Sequence, residues 1–115
     1  MNIKIYLNRD NTLTFGMLEN TSPVDATNFT RVVAQFKPTS GAVVSIDSNT
    51  VPALFDFTTT QEFSGEVTGV VKLMLGAMAG VVVGKYRMTL VTYDPINTGG
   101  VVWARFNAQV IDDAT

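Results

Sequence analysis

Gly84-Lys85-Tyr86-Arg87-Met88-Thr89-Leu90-Val91-Thr92-Tyr93 and Val101-Val102-Trp103-Ala104-Arg105-Phe106-Asn107-Ala108-Gln109-Val110-Ile111 flank the connection Asp94-Pro95-Ile96-Asn97-Thr98-Gly99-Gly100. Both flanking runs are rich in β-branched and aromatic residues, and both alternate apolar with polar. Successive side chains leave a strand on opposite faces, so period-two alternation marks a strand buried on one side. Asp, Pro, Asn and paired Gly between such runs favour a reversal of direction, and residues 85–93 and 101–111 read as a β-hairpin. Its inward set is Tyr86, Met88 and Leu90 on one strand and Val102, Ala104, Phe106, Ala108 and Val110 on the other. Unbroken alternation then sends Val91, Tyr93, Val101, Trp103 and Arg105 outward, with Tyr93 opposite Val101, Val91 opposite Trp103 and Arg87 at the rim. Trp, Tyr and Arg are enriched at binding hot spots. Trp103, Tyr93, Val91, Val101, Arg105 and Arg87 are therefore the candidate protein-interface residues.

The same period runs upstream. Ile3, Ile5 and Leu7 alternate with Lys4, Tyr6 and Asn8, and Leu13, Phe15 and Met17 resume the pattern after Arg9-Asp10-Asn11. Residues 19–28 form a polar connection. A strand over 29–36 places Val32, Ala34 and Phe36 on one face and ends at Lys37-Pro38-Thr39-Ser40-Gly41. Short strands are expected over 43–47 and 53–57, an irregular connection over 58–64, and a long strand over 66–75 with Val67, Val71, Leu73 and Leu75 on one face. Residues 76–80, bounded by glycines, suit a single helical turn at a corner. No helical period lasts beyond about one turn, and there is no repeat or linker. The expectation is one all-β domain over residues 1–115, an antiparallel immunoglobulin-like sandwich of seven or eight strands. Its core is expected to hold Ile5, Phe15, Val32, Phe36, Val71, Leu73, Tyr86, Met88, Leu90, Phe106 and Val110.

Charged residues make up 16% of the 115-residue chain, against roughly 25% in an average globular protein. Such a surface is suited to being covered. The net charge is −2, and Lys4, Arg9, Arg31, Lys37, Lys72, Lys85, Arg87 and Arg105 are scattered singly along the chain. That spacing reads as solvated strand faces and not as a phosphate-binding stripe, so nucleic acid is not an expected partner.

The chain has no His and no Cys, which removes the usual general base, the commonest transition-metal ligand and the thiol nucleophile. Its ten acidic residues fall mostly in expected turns or on outward faces. No pair of carboxylates stands out for glycoside hydrolysis. Asp112-Asp113 reads as a solvated tail, since no Asp-x-Asp-x-Asp-Gly loop exists to hold calcium. Gly76, Gly80 and Gly84 lack the Gly-Lys-Ser/Thr that a phosphate cradle requires. No catalytic, cofactor or metal site is expected, and no enzymatic activity. Residues 1–7 lack the continuous apolar core of a signal peptide. The longest apolar stretch, 70–83, is interrupted by Lys72, Gly76 and Gly80 and is shorter than the roughly 20 residues that span a bilayer. A soluble chain without a membrane partner is the expectation.

Three stretches carry a resemblance. Pro23-Val24-Asp25-Ala26-Thr27-Asn28-Phe29-Thr30-Arg31-Val32-Val33, followed by Gly65-Glu66-Val67 and by Gly84-Lys85-Tyr86-Arg87-Met88-Thr89-Leu90-Val91, resembles small immunoglobulin-like domains of tailed-bacteriophage structural proteins. In that group a Pro-hydrophobic-Asp-Leu-Thr-Gly turn leads into a strand, and Gly-x-Tyr opens the second-last strand. Here Ala26 stands where Leu is usual and Asn28 where Gly is usual; Asn tolerates a positive φ and can serve the same turn. The resemblance implies a virion protein of the capsid-decoration, neck or upper-baseplate type. Its expected partners are a larger virion protein, the major capsid or tail protein, and further copies of itself. The reading from another class is a β-sandwich recognition module for carbohydrate or a host surface, for which Tyr6, Tyr93 and Trp103 are the candidate exposed aromatics.

Overall fold

The computed structural model describes residues 2–7, 9, 11–16, 18–19, 22–23, 26–58, 60–63, 66–75 and 80–112. In chain order its strands are β1 (Asn2–Tyr6), β2 (Asn11–Gly16), β3 (Leu18–Glu19), β4 (Ser22–Pro23), β5 (Arg31–Pro38), β6 (Val44–Asp47), β7 (Phe55–Asp56), β8 (Thr60–Phe63), β9 (Glu66–Leu75), β10 (Gly84–Tyr93) and β11 (Val101–Ile111). Two short 3₁₀ turns, Ala26–Asn28 and Pro52–Leu54, interrupt them. The all-β expectation holds.

Two sheets face each other. The larger is five-stranded in the order β1-β11-β10-β5-β6, and the smaller has the order β2-β9-β7 with β8 also paired to β9. The pairs are antiparallel except β1 with β11, which run parallel. The chain crosses from one sheet to the other between β1 and β2, and one amide makes that corner. Asn11 Nδ2 shares its two hydrogens among the carbonyls of Tyr6 at 2.8 Å, Arg9 at 2.8 Å and Leu75 at 2.9 Å, while its Oδ1 accepts from the Tyr6 N–H at 3.0 Å. A two-residue pairing of β3 with β4 and the first 3₁₀ turn follow, within the stretch read as a polar connection.

The core lies between the sheets. Ile5, Val32, Phe36, Met88, Leu90, Phe106 and Val110 from the larger sheet meet Phe55, Val71, Leu73 and Leu75 from the smaller, all buried. Phe15 is half-buried, with its ring 5.5 Å from that of Phe106 across the gap. Each side chain fully withdrawn from water here contributes roughly 1.5–3 kcal/mol. The expected core residues are thus buried, Phe15 only in part.

Three expectations along the chain are corrected. Residues 60–63 form β8 where an irregular connection was expected. Most of 53–57 divides into a 3₁₀ turn and the two-residue β7, since Pro52 supplies no N–H and suits the first helical position. The strand over 29–36 begins later, at Arg31, because residues 26–28 turn and the Phe29 N–H donates to the Ala26 carbonyl at 3.0 Å. The helical turn expected over 76–80 lies mostly outside the described residues.

A candidate protein-docking surface

The expected docking patch on the last hairpin comes apart at one residue. Leu90 pairs with Ala104, but Val91 pairs with Val102 and Thr92 with Val101, so Trp103 is the extra residue of a β-bulge. A bulge shifts the alternation by one position. Val102 therefore turns outward and is half exposed, whereas Trp103 packs against the core. The Trp103 ring lies 6.4 Å from that of Phe29, and its Nε1–H donates to Oγ1 of Thr92, a buried side chain. The expected pairings of Tyr93 with Val101 and Val91 with Trp103 do not occur. Two hydrophobic residues in succession, Val101-Val102 after Gly99-Gly100, were the available sign that the alternation slips there.

The remaining residues of that set fall into two groups. Val91 is buried at 8% exposure, and Val101 and Tyr93 are half-buried. Tyr93 is covered by Arg31, whose Cζ stands 4.6 Å above its ring, a cation–π contact. The same guanidinium reaches from β5 to β6 and donates from Nε to both oxygens of Asp47 at 3.0 Å, with Nη2 also bonded to Oδ2. Those hydrogen bonds hold the Asp47 carboxyl below the usual carboxylate range, with partial burial opposing and the Asn49 N–H assisting. They also raise the Arg31 guanidinium. With Tyr93 and Trp103 taken up in packing, Tyr6 is the exposed aromatic of the three carbohydrate candidates, at 38% exposure.

Arg87 and Arg105 behave differently. Both are exposed on the outward face of the five-stranded sheet, and the register sets three lysines beside them. Lys4 on β1 is opposite Gln109 on β11, which is opposite Lys85 on β10. One step along, Asn107 is opposite Arg87, which is opposite Lys37 on β5. Arg105 follows, opposite Thr89. All five cations are exposed, and none has a carboxylate partner among the described residues. Arg87 instead donates from Nη1 to Oδ1 of Asn107 at 3.1 Å. Lys4, Lys37, Lys85 and Arg87 line an open groove of about 820 Å³ with Asn107, Gln109 and Thr39. Neighbouring strands lie roughly 4.8 Å apart, so cations scattered over a hundred positions of sequence share one small surface. These residues do stand on solvated strand faces, as expected, and the sheet order adds that they are neighbours there.

Beyond one end of this groove the chain returns through residues 80–83 to β10. Tyr86 anchors that return: its hydroxyl donates to the Val82 carbonyl at 2.7 Å and accepts the Val82 N–H at 3.1 Å. Val82 and Val83 are exposed there at 64% and 56%. Gly80, at φ 84°, would place a Cβ 3.5 Å from the Val44 side chain, so this segment lies against the start of β6. An apolar tip thus adjoins the cationic groove.

Among the described residues no three His, Cys, Asp or Glu side chains gather as metal ligands, and no helix is long and apolar enough to cross a membrane. Comparison with protein families, with curated proteins and with solved structures gave no match for this chain.

Proposed function

We propose that this chain is a structural protein of a bacteriophage virion, an immunoglobulin-like module of the capsid-decoration or small-adaptor kind that works by docking and not by catalysis. The observation that carries the docking role is the cationic face. Five exposed side chains without carboxylate partners among the described residues, on one sheet of a chain whose net charge is negative, suit a carboxylate-rich protein surface. The partner in this reading is the major capsid or tail protein.

Two features support the immunoglobulin-like part. The orders β11-β10-β5-β6 and β2-β9-β7 correspond to strands G-F-C-C′ and B-E-D of that sandwich. Tyr86, near the start of the second-last strand, bonds through its hydroxyl to backbone four residues upstream, the arrangement known as a tyrosine corner. It is also the Tyr of the Gly84-Lys85-Tyr86 stretch on which the phage resemblance rests.

The test is co-sedimentation with particles from a phage carrying a deletion of this gene. The wild type should pellet with the particles at about 50 mM salt and much less at about 500 mM, where the screening length falls from about 14 Å to about 4 Å. The Lys85→Glu/Arg87→Glu variant should remain in the supernatant. Absence of wild-type binding at low salt overturns the proposal.

A further inference from the structure

Among the described residues, the exposed large hydrophobic side chains include three at one end of the cationic face: Val43, Val82 and Val83. Val82 and Val83 lead directly into Gly84, the first residue of β10, and Lys85 follows on the outward side. Phe36 pairs with Val44, so Val43, one residue further, comes beside Lys37. Gly80 stands against the Val44 side chain, which brings the two valine-bearing segments to the same end of the sandwich. Lys72 and Lys85 bracket a run, Leu73 to Gly84, with no polar side chain.

The backbone under Val82 is fixed. Val81 is buried in the core, and the hydroxyl of the buried Tyr86 bonds both the N–H and the carbonyl of Val82, at 3.1 and 2.7 Å. A β-branched side chain on a held backbone has few conformations left to lose. Burying Val82 and Val83 against another surface therefore gains apolar contact at a low ordering cost. Single exposed valines are ordinary. An adjacent pair presented in this way, next to cations without carboxylate partners among the described residues, has the anatomy of an interface, apolar at its centre and polar at its rim.

We propose that Val82 and Val83, with Val43 beside Lys37, are the apolar anchor of the docking surface. The larger virion protein receives them in an apolar recess whose rim carries carboxylates facing Lys85, Lys37 and Arg87. The proposal rests on the docking reading above and names the part of the surface that enters the partner. Charge complementarity selects this occupant, and the layout of the cations separates it from an anionic lipid surface. Outward positions on one strand are about 6.7 Å apart, so Arg87 stands one step, and Thr89 with Arg105 opposite it two steps, beyond Lys85. A flat bilayer touching the tip would leave Arg105 about 13 Å behind Lys85, more than the screening length of about 10 Å at 0.1 M salt. A surface that meets both the tip and the cations has to be concave, as a protein recess is.

Co-sedimentation of the full chain with particles lacking this protein tests the anchor. Val82→Thr/Val83→Thr keeps shape and branching and adds two hydroxyls at exposed positions, so its far-UV circular dichroism and melting temperature should match the wild type. At about 50 mM salt its affinity for the particles should fall about tenfold, while its salt dependence stays that of the wild type, because every cation is kept. Val43→Thr, on the other segment, should weaken binding about threefold by the same loss of apolar contact. Unchanged binding by the Val82/Val83 pair overturns the proposal, as does a pair variant whose weaker binding comes with an altered salt dependence. Wild-type binding to vesicles of phosphatidylcholine and phosphatidylserine, lost in the pair variant, assigns the tip to lipid and overturns it. Self-association of the wild type at low salt, lost in the pair variant, assigns the tip to a second copy and also overturns it. Absence of wild-type binding to the particles defeats the docking reading itself, whereas wild-type binding that the pair variant retains in full defeats only the anchor.

Discussion

Arg87 on β10 stands directly opposite Lys37 on β5, two exposed cations with no carboxylate partner among the described residues. Like charges directly across a ladder destabilise a sheet by a few tenths of a kcal/mol. Lys37→Glu creates an opposite-charge pair at the same place. It should raise the unfolding free energy of the isolated chain by a few tenths of a kcal/mol while weakening particle binding. Gain of stability with loss of function is the expected signature of a binding face; a variant that loses stability contradicts the placement.

Trp103 tests the bulge. If it were an outward anchor, its removal would leave the isolated chain intact. Packed on the core beside Phe29 and bonded to Thr92, Trp103→Ala should cost about 2–4 kcal/mol of unfolding free energy, somewhat below the full range for a buried aromatic. Trp103→Phe should recover most of that loss, leaving about 1 kcal/mol for the missing hydrogen bond. Chemical denaturation of both variants gives the comparison.

Asn11 tests the corner between the sheets. Its amide serves three carbonyls and one N–H, so Asn11→Ala should destabilise by about 1–3 kcal/mol through polar groups left unpaired. Asn11→Asp should be worse at neutral pH than at pH 3, because an ionised carboxylate donates nothing and faces three carbonyl oxygens. Thermal unfolding at the two pH values reads this directly.

Asp47 gives a pH dependence with a definite sign. Its folded pKa is depressed, first by the hydrogen bonds from Arg31 and then by the Asn49 N–H, with burial opposing. Its contribution is therefore present above the unfolded value of about 4 and is lost as pH falls through the lower folded value. Asp94, held below its usual range first by the Asn97 side chain and also by the Asn97 and Ile96 N–H groups, adds a loss of the same sign. The stability gap between wild type and Asp47→Asn should be widest near neutral pH and narrow below about pH 4. A gap that stays constant to pH 2 would show that the Arg31 pairing contributes nothing.

The strands over 66–75, 85–93 and 101–111 were legible because a two-residue period sustained over so long a run fits a half-buried strand and no helix; the buried set of the last hairpin followed from it up to Ala104, where the bulge turns Val102 outward and Trp103 inward. Tyr86 could be read as the opening of a strand, but its hydroxyl partner could not, since residues 80–83 carry no period. Pairwise chemistry such as Arg31 with Asp47 was likewise out of reach, because it depends on which strands become neighbours.

Residue order alone determined the all-β character, the core side chains and the lack of His and Cys chemistry, since period and composition are local properties of the chain. Tertiary structure decided the rest. The bulge at Trp103 inverted the expected outer face of the last hairpin, because a one-residue slip exchanges the two sides of a strand. Lys4, Lys37, Lys85, Arg87 and Arg105 became one surface only when β1, β11, β10 and β5 were laid side by side. Charge acts through space, and the sheet, not the sequence interval, sets the distance.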